Sequence, residues 1–373
     1  MSGSAHRFIG FPIQRPTLLL DEARAKRNIA RMVEKARRAG VHLRPHFKTH
    51  QSVEIGAWFK AMGVESITVS SVEMAEAFAE AGWTDITIAF PVNLPQLDSI
   101  RTLASEIDLG LLVDAEASAI ALSEIPSSGL NVWIKIDAGY GRAGVPWDDT
   151  EKIAVIAGIL RRSPKTHFEG ILTHSGHSYH QRSRDGVLAI HTESANRMKS
   201  VKTALLERGH TGCKISIGDT PTSVLADDFS GIDEIRPGNF VFYDLMQRAI
   251  GSCGDDEIAV AVACPVVGKY RHRRQILIYG GAVHLSKEHL LVDNEQDIFG
   301  CLSLIPAESL GSPDWRAPLV SLSQEHGLVE VTEEIFNDLS IGDVVLVLPV
   351  HSCLTCDLHR EYWTLGGARI SRI

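Results

Sequence analysis

The chain has 373 residues, 44% of them apolar, and a formal charge of -9. That length suits two domains or one large barrel with an appendage, and the acidic balance leaves no basic stripe for nucleic-acid phosphates. No window approaches the roughly 20 apolar residues that span a bilayer, and the first residues lack the apolar core of a secretion signal. The six cysteines are scattered, which points to a reducing cytoplasm rather than a disulfide scaffold.

Residues 1–16 are polar, carry two prolines, and read as an N-terminal segment packing with the C-terminal domain. Thr17-Leu-Leu-Leu-Asp21 is a short apolar strand, and Asp21 can cap the helix behind it, whose inner stripe is Ile29, Met32 and Val33. Then strands and helices alternate. Strands are expected at Val41–Lys48, Ser66–Ser71, Asp85–Phe90, Asp108–Asp114, Val132–Asp137, Phe168–His174, Lys214–Gly218 and Glu234–Gly238. Helices read between most of them, the longest from Asp185 to Glu207. Strands buried on both faces appear as continuous apolar runs, as these do. Eight such units over about 200–250 residues predict a parallel, TIM-like (β/α)8 barrel over 17–250, with a doubly wound open sheet as the alternative. Beyond 250 the pattern becomes strands with few helices, at Ile258–Val267, Arg274–Tyr279, Leu319–Leu322 and Val344–Leu348, which predicts a mainly β domain over 251–373.

Barrels of this kind carry their chemistry at the C-terminal ends of the strands. The first strand ends in Lys48, the fifth in Asp137-Ala-Gly-Tyr-Gly-Arg142, and the sixth in His174-Ser-Gly-His-Ser-Tyr179. A lysine at a strand mouth, desolvated by an apolar wall, can attack an aldehyde; on spacing alone it also fits a solvated surface lysine. The seventh and eighth ends, Gly218-Asp-Thr-Pro-Thr222 and Arg236-Pro-Gly-Asn-Phe-Val-Phe-Tyr-Asp244, are rich in glycine and hydroxyls. They suit a phosphate held by N–H groups, or plain turns. Arg142 and Arg236 suit an anionic aromatic ligand, and His174 could stack on a flat ring. A second group, His351-Ser-Cys353, follows the strand at 344–348. On an extended strand its imidazole and thiol would face the same way and share one zinc ion, leaving positions open. A buried cysteine beside an unrelated histidine fits as well. Cys353-Leu-Thr-Cys356 has no second CxxC to complete a four-cysteine site. Glu325-His-Gly327 is a further polar cluster that could reach the same mouth.

Together, Arg-Pro-His-Phe-Lys-Thr-His at 44–50, His-Ser-Gly-His-Ser-Tyr at 174–179, Gly-Asp-Thr-Pro-Thr at 218–222, Pro-Gly-Asn-Phe-Val-Phe-Tyr-Asp at 237–244 and His-Ser-Cys at 351–353 resemble the fold-type III pyridoxal-phosphate enzymes. Within that class the likeness is to the metal-dependent D-serine dehydratases, with D-threonine aldolases and D-threo-3-hydroxyaspartate dehydratases as relatives. The resemblance implies an alanine-racemase-like fold and a homodimer. It implies that Lys48 bonds pyridoxal 5'-phosphate and removes the substrate's α-proton. Arg142 would lie near the phenolic oxygen, His174 against the ring, and Arg236 near the pyridine nitrogen. Gly218, Thr220, Gly238 and Asn239 would hold the phosphate, with Tyr179 and Tyr243 as further cofactor contacts. His351 and Cys353 would bind zinc or another divalent metal; the aldolases carry His-x-Asp at this place, so Cys353 favours dehydration. The implied reaction converts a D-3-hydroxyamino acid, D-serine first, into a 2-oxo acid and ammonia, with D-threonine retro-aldol cleavage or D-threo-3-hydroxyaspartate dehydration as alternatives.

Overall fold

A computed structural model describes residues 11–125, 129–292, 296–303 and 309–373. The part of the expected N-terminal segment before Phe11 lies outside the described residues. The chain forms two compact units: residues 31–238 with Ile373, and the chain up to Ala30 with Asn239–Arg372.

The first unit holds eight parallel strands, His42–Leu43, Ser66–Val69, Asp85–Pro91, Asp108–Val113, Leu130–Asp137, Thr166–His174, Lys214–Gly218 and Glu234–Ile235. From the second to the eighth, each pairs with the next, and the eighth returns to pair with the first. A single parallel bridge, His46 to Thr68, links the first to the second and nearly closes the barrel. The helices between strands start where the sequence supplies caps. Ser52, Ser71, Asp149 and Ser183 each accept the N–H three residues on, satisfying one of the donors a helix start leaves open.

Alternation along the fifth strand places Trp133 and Lys135 on one face. Trp133 packs with Leu112 and Leu172 in a buried layer of the barrel. Lys135 therefore stands one layer nearer the C-terminal end of the strands, and it too is buried.

The first strand departs from the expected Val41–Lys48. It is regular only over His42–Leu43, and the chain leaves it through a 3-10 turn at Phe47–Thr49. Pro45, which has no N–H, interrupts the ladder. Lys48 thus rides on a turn past the strand. That turn is anchored by Phe47, fully buried, whose ring meets Phe59 at 4.9 Å, Phe78 at 5.0 Å and Trp83 at 5.2 Å. Phe47→Ala is expected to destabilise this unit by about 3–5 kcal/mol, read as a lower denaturant midpoint.

The second unit is built on a nine-stranded sheet in the order Gln275–Tyr279, His326–Glu330, Pro318–Leu322, Gly300–Ser303, Val344–Pro349, Val260–Tyr270, Thr17–Leu20, Glu361–Thr364 and Arg369–Ser371. Gln275–Tyr279 also pairs with Val260–Tyr270, curling the sheet back on itself. All its pairings are antiparallel except that of Thr17–Leu20 with Glu361–Thr364. Thr17–Leu20, grouped with the barrel from sequence, pairs here with residues 260–263. Its apolar run suits either sheet, and partner choice is not written in the run itself.

Candidate active site

In the barrel unit the residues expected around a cofactor gather past the strand ends, and their environment is strongly cationic. His174 ends the sixth strand, and its Nδ1 bonds the Gly218 carbonyl. A carbonyl only accepts, so Nδ1 carries the proton and Nε2 presents a lone pair. Burial, reinforced by Lys135, Lys48, Arg142 and Arg236, holds His174 well below the usual imidazole range. His46 is held down by burial and by Lys48, Arg236, His174 and Arg142. Its Nδ1 accepts the Lys48 N–H at 3.4 Å, capping the turn that carries the lysine.

Arg236 sits inside the barrel, 4% exposed, with Nε donating to Ser216 Oγ at 2.7 Å and Nη2 to the Thr173 carbonyl. Ser216 Oγ donates in turn to Glu234, whose other oxygen takes Arg44 Nε at 2.6 Å. Burial lowers Arg236 to about 10, so it remains charged at neutral pH. Arg142 lies exposed on the loop after the fifth strand, its guanidinium over the Tyr140 ring at 5.1 Å. Asp137 pins that loop by accepting N–H groups of Gly139 at 2.9 Å and Gly141 at 3.0 Å. Burial alone would raise its pKa, but these bonds hold it below the usual carboxylate range. Gly144, at φ +117°, closes the loop; a Cβ there would stand 2.6 Å from the Asp137 nitrogen. Gly176 is needed for space, since a Cβ would fall 2.3 Å from the Tyr140 ring.

The glycine-rich turns differ from a simple phosphate cradle. Asp219 caps the helix Thr220–Leu225 by accepting the Thr222 N–H at 2.7 Å, and Pro221 has no N–H, so this turn offers few free donors. Thr220 Oγ1 accepts the Gly238 N–H at 3.3 Å. Tyr179 is half-buried on the 3-10 turn Gly176–His180. The expected apolar wall around Lys48 lies only behind it: Phe47 and Thr49 are buried and Lys48 is exposed. The 3-10 turn rotates successive residues by about 120°, which sends Lys48 to a different side from its buried neighbours.

Sequence reasoning passed over Lys135, the most perturbed amine in the unit. It is 7% exposed and has no hydrogen-bond or ion-pair partner among the described residues. Burial, with Arg236 and Arg142 nearby, lowers it to about 7. The signal was a lysine between two isoleucines in a strand buried on both faces. In the folded chain this amine loses its proton near pH 7, in the unfolded chain near its usual 10.5. The penalty for burying the cation is therefore complete below pH 7 and gone above about 10.5. Lys135→Met is expected to raise the melting temperature of cofactor-free protein at pH 7 or below, with the gain shrinking as pH climbs towards 10.5.

Tyr243, Asn239, His351 and Cys353 belong to the other unit. Tyr243 is buried and left-handed at φ 49°. The strand expected to carry His351 and Cys353 ends at Pro349. His351 is the N-cap of the helix Ser352–Asp357 and Cys353 lies in its first turn. The turn, not an extended strand, brings imidazole and thiol into hydrogen-bonding contact. Burial would lower His351, but Cys353, Asp244 and Glu288 raise it to about 9. Glu288 Oε2 lies 3.9 Å from His351 Nδ1. Asn239, expected at the phosphate, has its amide nitrogen on Asp244 Oδ2 at 2.6 Å, Ser352 Oγ at 3.1 Å and Cys353 Sγ at 3.6 Å. Cys356 is fully buried, with its thiol pushed up by burial, and all six cysteines are free thiols. Glu325, of the further polar cluster, faces His284 at 3.8 Å.

The donor sets suit two groups. Lysine, arginine and an orphaned buried amine fit an anionic aldehyde cofactor. The imidazole and sulfur of His351 and Cys353 fit a borderline-soft divalent metal. Among the described residues no three His, Cys, Asp or Glu side chains are arranged to hold a metal ion, so two protein ligands leave positions open.

A nearly closed parallel barrel with a lysine just past its first strand, followed by an antiparallel β domain, is the architecture of the fold-type III pyridoxal-phosphate-dependent enzymes. A family model for the N-terminal domain of alanine racemase matches residues 20–245, and one for a putative serine dehydratase domain matches residues 259–365. The chain belongs to the D-serine dehydratase family of that class. It is 34% identical over 288 residues to the D-threo-3-hydroxyaspartate dehydratase of Delftia sp. (strain HT23), covering 76% of this chain and 75% of that protein. It is 27% identical over 383 residues to the D-serine dehydratase of Dictyostelium discoideum, covering 94% and 93%. The solved structure of a D-threo-3-hydroxyaspartate dehydratase with cysteine replaced by alanine, in its metal-free form, superposes with a TM-score of 0.90 at 30% identity, over 97% of this chain and 98% of that one.

Proposed function

We propose that this chain is a pyridoxal-phosphate- and zinc-dependent dehydratase that removes water from a D-3-hydroxyamino acid, turning D-serine into pyruvate and ammonia. The observation that carries this reading is the contact of His351 with Cys353, a nitrogen–sulfur donor pair, in a chain whose barrel sets Lys48 amid Arg142, Arg236 and Lys135.

Pyridoxal 5'-phosphate, bonded to Lys48, supplies an electron sink for the substrate's α-carbon when bound. Zinc at His351 and Cys353 supplies Lewis acidity for the poor hydroxide leaving group. The remaining work falls to the chain. Lys48 Nζ takes the α-proton. Arg142 would meet the phenolic oxygen, and His174, neutral with its Nδ1 proton committed to Gly218, would pack on the ring. Arg236, which stays charged, would stand near the pyridine nitrogen and withhold its proton. Gly218, Thr220 and Gly238 would hold the phosphate, and Tyr179 and Tyr243 would be further contacts.

D-threo-3-hydroxyaspartate is the second substrate reading, supported by the 34% identity to the Delftia dehydratase. No helix among the described residues is long and apolar enough to cross a membrane, and six free thiols support a reducing cytoplasm. A homodimer would give twice the 40.8 kDa chain mass in solution scattering.

The test is a panel of D-amino acids assayed for 2-oxo acid with and without a chelator. D-serine and D-threo-3-hydroxyaspartate are expected to react, and only without chelator. Glycine and acetaldehyde from D-threonine, with no pyruvate from D-serine, would replace dehydration by retro-aldol cleavage.

A further inference from the structure

The amide of Asn239 occupies an unusual position, 114 residues before the cysteine it touches. Its nitrogen has two protons and three acceptors: Asp244 Oδ2 at 2.6 Å, Ser352 Oγ at 3.1 Å and Cys353 Sγ at 3.6 Å. Ser352 Oγ spends its own proton on Asp244 at 3.2 Å, so towards Asn239 it accepts. One amide proton therefore goes to the carboxylate and the other is shared between hydroxyl and sulfur.

Asp244 is the anchor. It is 1% exposed and accepts four bonds: Asn239 Nδ2, the Ser352 N–H at 2.9 Å, Ser352 Oγ, and the Gln247 N–H at 2.8 Å. A buried carboxylate is tolerated when its lone pairs are so satisfied. The Ser352 N–H is the first of the helix whose N-cap is His351, and the His351 side chain makes no capping bond of its own. Asp244 thus fixes the start of the turn that carries both metal donors.

Asp244 also dictates which way the amide faces. Rotating Asn239 by half a turn would set its oxygen against the carboxylate and remove every bond its nitrogen makes. In the orientation present, Asn239 Oδ1 is buried without a hydrogen-bond partner among the described residues. A buried unsatisfied acceptor is destabilising. That cost is accepted, and its return is an N–H aimed at the cysteine sulfur.

Resting on the metal role proposed for His351 and Cys353, we propose that Asn239 is a positioning residue of the metal centre, held by Asp244, whose N–H on Cys353 Sγ orients the sulfur and tunes its electron donation to the metal. This role belongs to the Asn239 side chain and is separate from the phosphate contact expected for the residue from sequence. Partners of this kind behind a ligand change metal affinity about 10–100-fold when removed.

The test uses the cofactor-loaded protein, stripped of metal and titrated with zinc and with cadmium. Asn239→Ala and Asp244→Asn are compared with the unaltered chain, and His351→Ala is the control. Asn239→Ala is expected to weaken zinc binding about 10–100-fold and to move the cadmium NMR resonance at saturating metal. A merely structural role would not move that resonance. Asp244→Asn keeps the shape but loses the charge that orients the amide, and is expected to shift both readouts the same way. If either variant fails to fold, as judged by circular dichroism and bound cofactor, the other decides. Unchanged affinity and resonance in the folded variants overturn the inference alone. An unaltered chain that binds neither metal, or binds as tightly as His351→Ala, overturns the proposed metal site instead.

Discussion

Lys48→Ala is expected to abolish dehydration of D-serine, with a fall in kcat of at least about 10³-fold, because on the proposed reading it removes both the covalent tether of the cofactor and the base at the α-carbon. The same variant should lose the visible absorbance of the bound cofactor, and borohydride should no longer fix the cofactor to the chain in mass spectrometry. The effect on folding should be small, since Lys48 is exposed and its turn is held by the buried Phe47 and by the His46 cap. A folded variant that keeps both colour and turnover would remove the lysine from the mechanism. Arg142, Arg236 and Lys135 could gather an anion without it, so weak residual cofactor binding with no turnover is the expected signature.

Cys353→Ala and His351→Ala are expected to cost nearly as much activity while sparing the cofactor. On the proposed reading two protein ligands would hold the ion, so losing either would leave one. Without a Lewis acid the leaving hydroxide must depart near neutral pH unassisted, a loss of several kcal/mol of transition-state stabilisation. Metal analysis should fall towards zero per chain, and the cofactor absorbance should persist. Full-rate turnover of D-serine by either variant, or by chelated protein, would refute the metal's role. The two variants also separate from Lys48→Ala by product: a chain that keeps its cofactor and lysine but no metal should still exchange the α-proton of D-serine with deuterated solvent.

Much of this is legible in the sequence. The eight apolar runs from Val41 to Gly238 announce a parallel barrel because strands covered on both faces have no polar alternation to confuse the reading. The position of Lys48 after the first run, and of His351 two residues before Cys353, follow from counting. The boundaries were less legible. Pro45 shortens the first strand, and the chain after Pro349 turns into a helix, so the His351–Cys353 contact arises from a helix start rather than from an extended strand.

What the sequence determined by itself was the order of elements, the residue types at each strand end and the family they resemble, since periodicity, caps and spacing act over a few neighbouring residues. Only the tertiary structure decided that Thr17–Leu20 joins residues 260–263, that Lys135 is buried without a partner among the described residues, and that Asn239 turns its amide to Cys353. Those outcomes depend on which surfaces meet after about a hundred residues or more of intervening chain. A strand's pattern states that it needs a partner, and a polar side chain's chemistry states what it can bond; which group arrives is set by the packing of the whole.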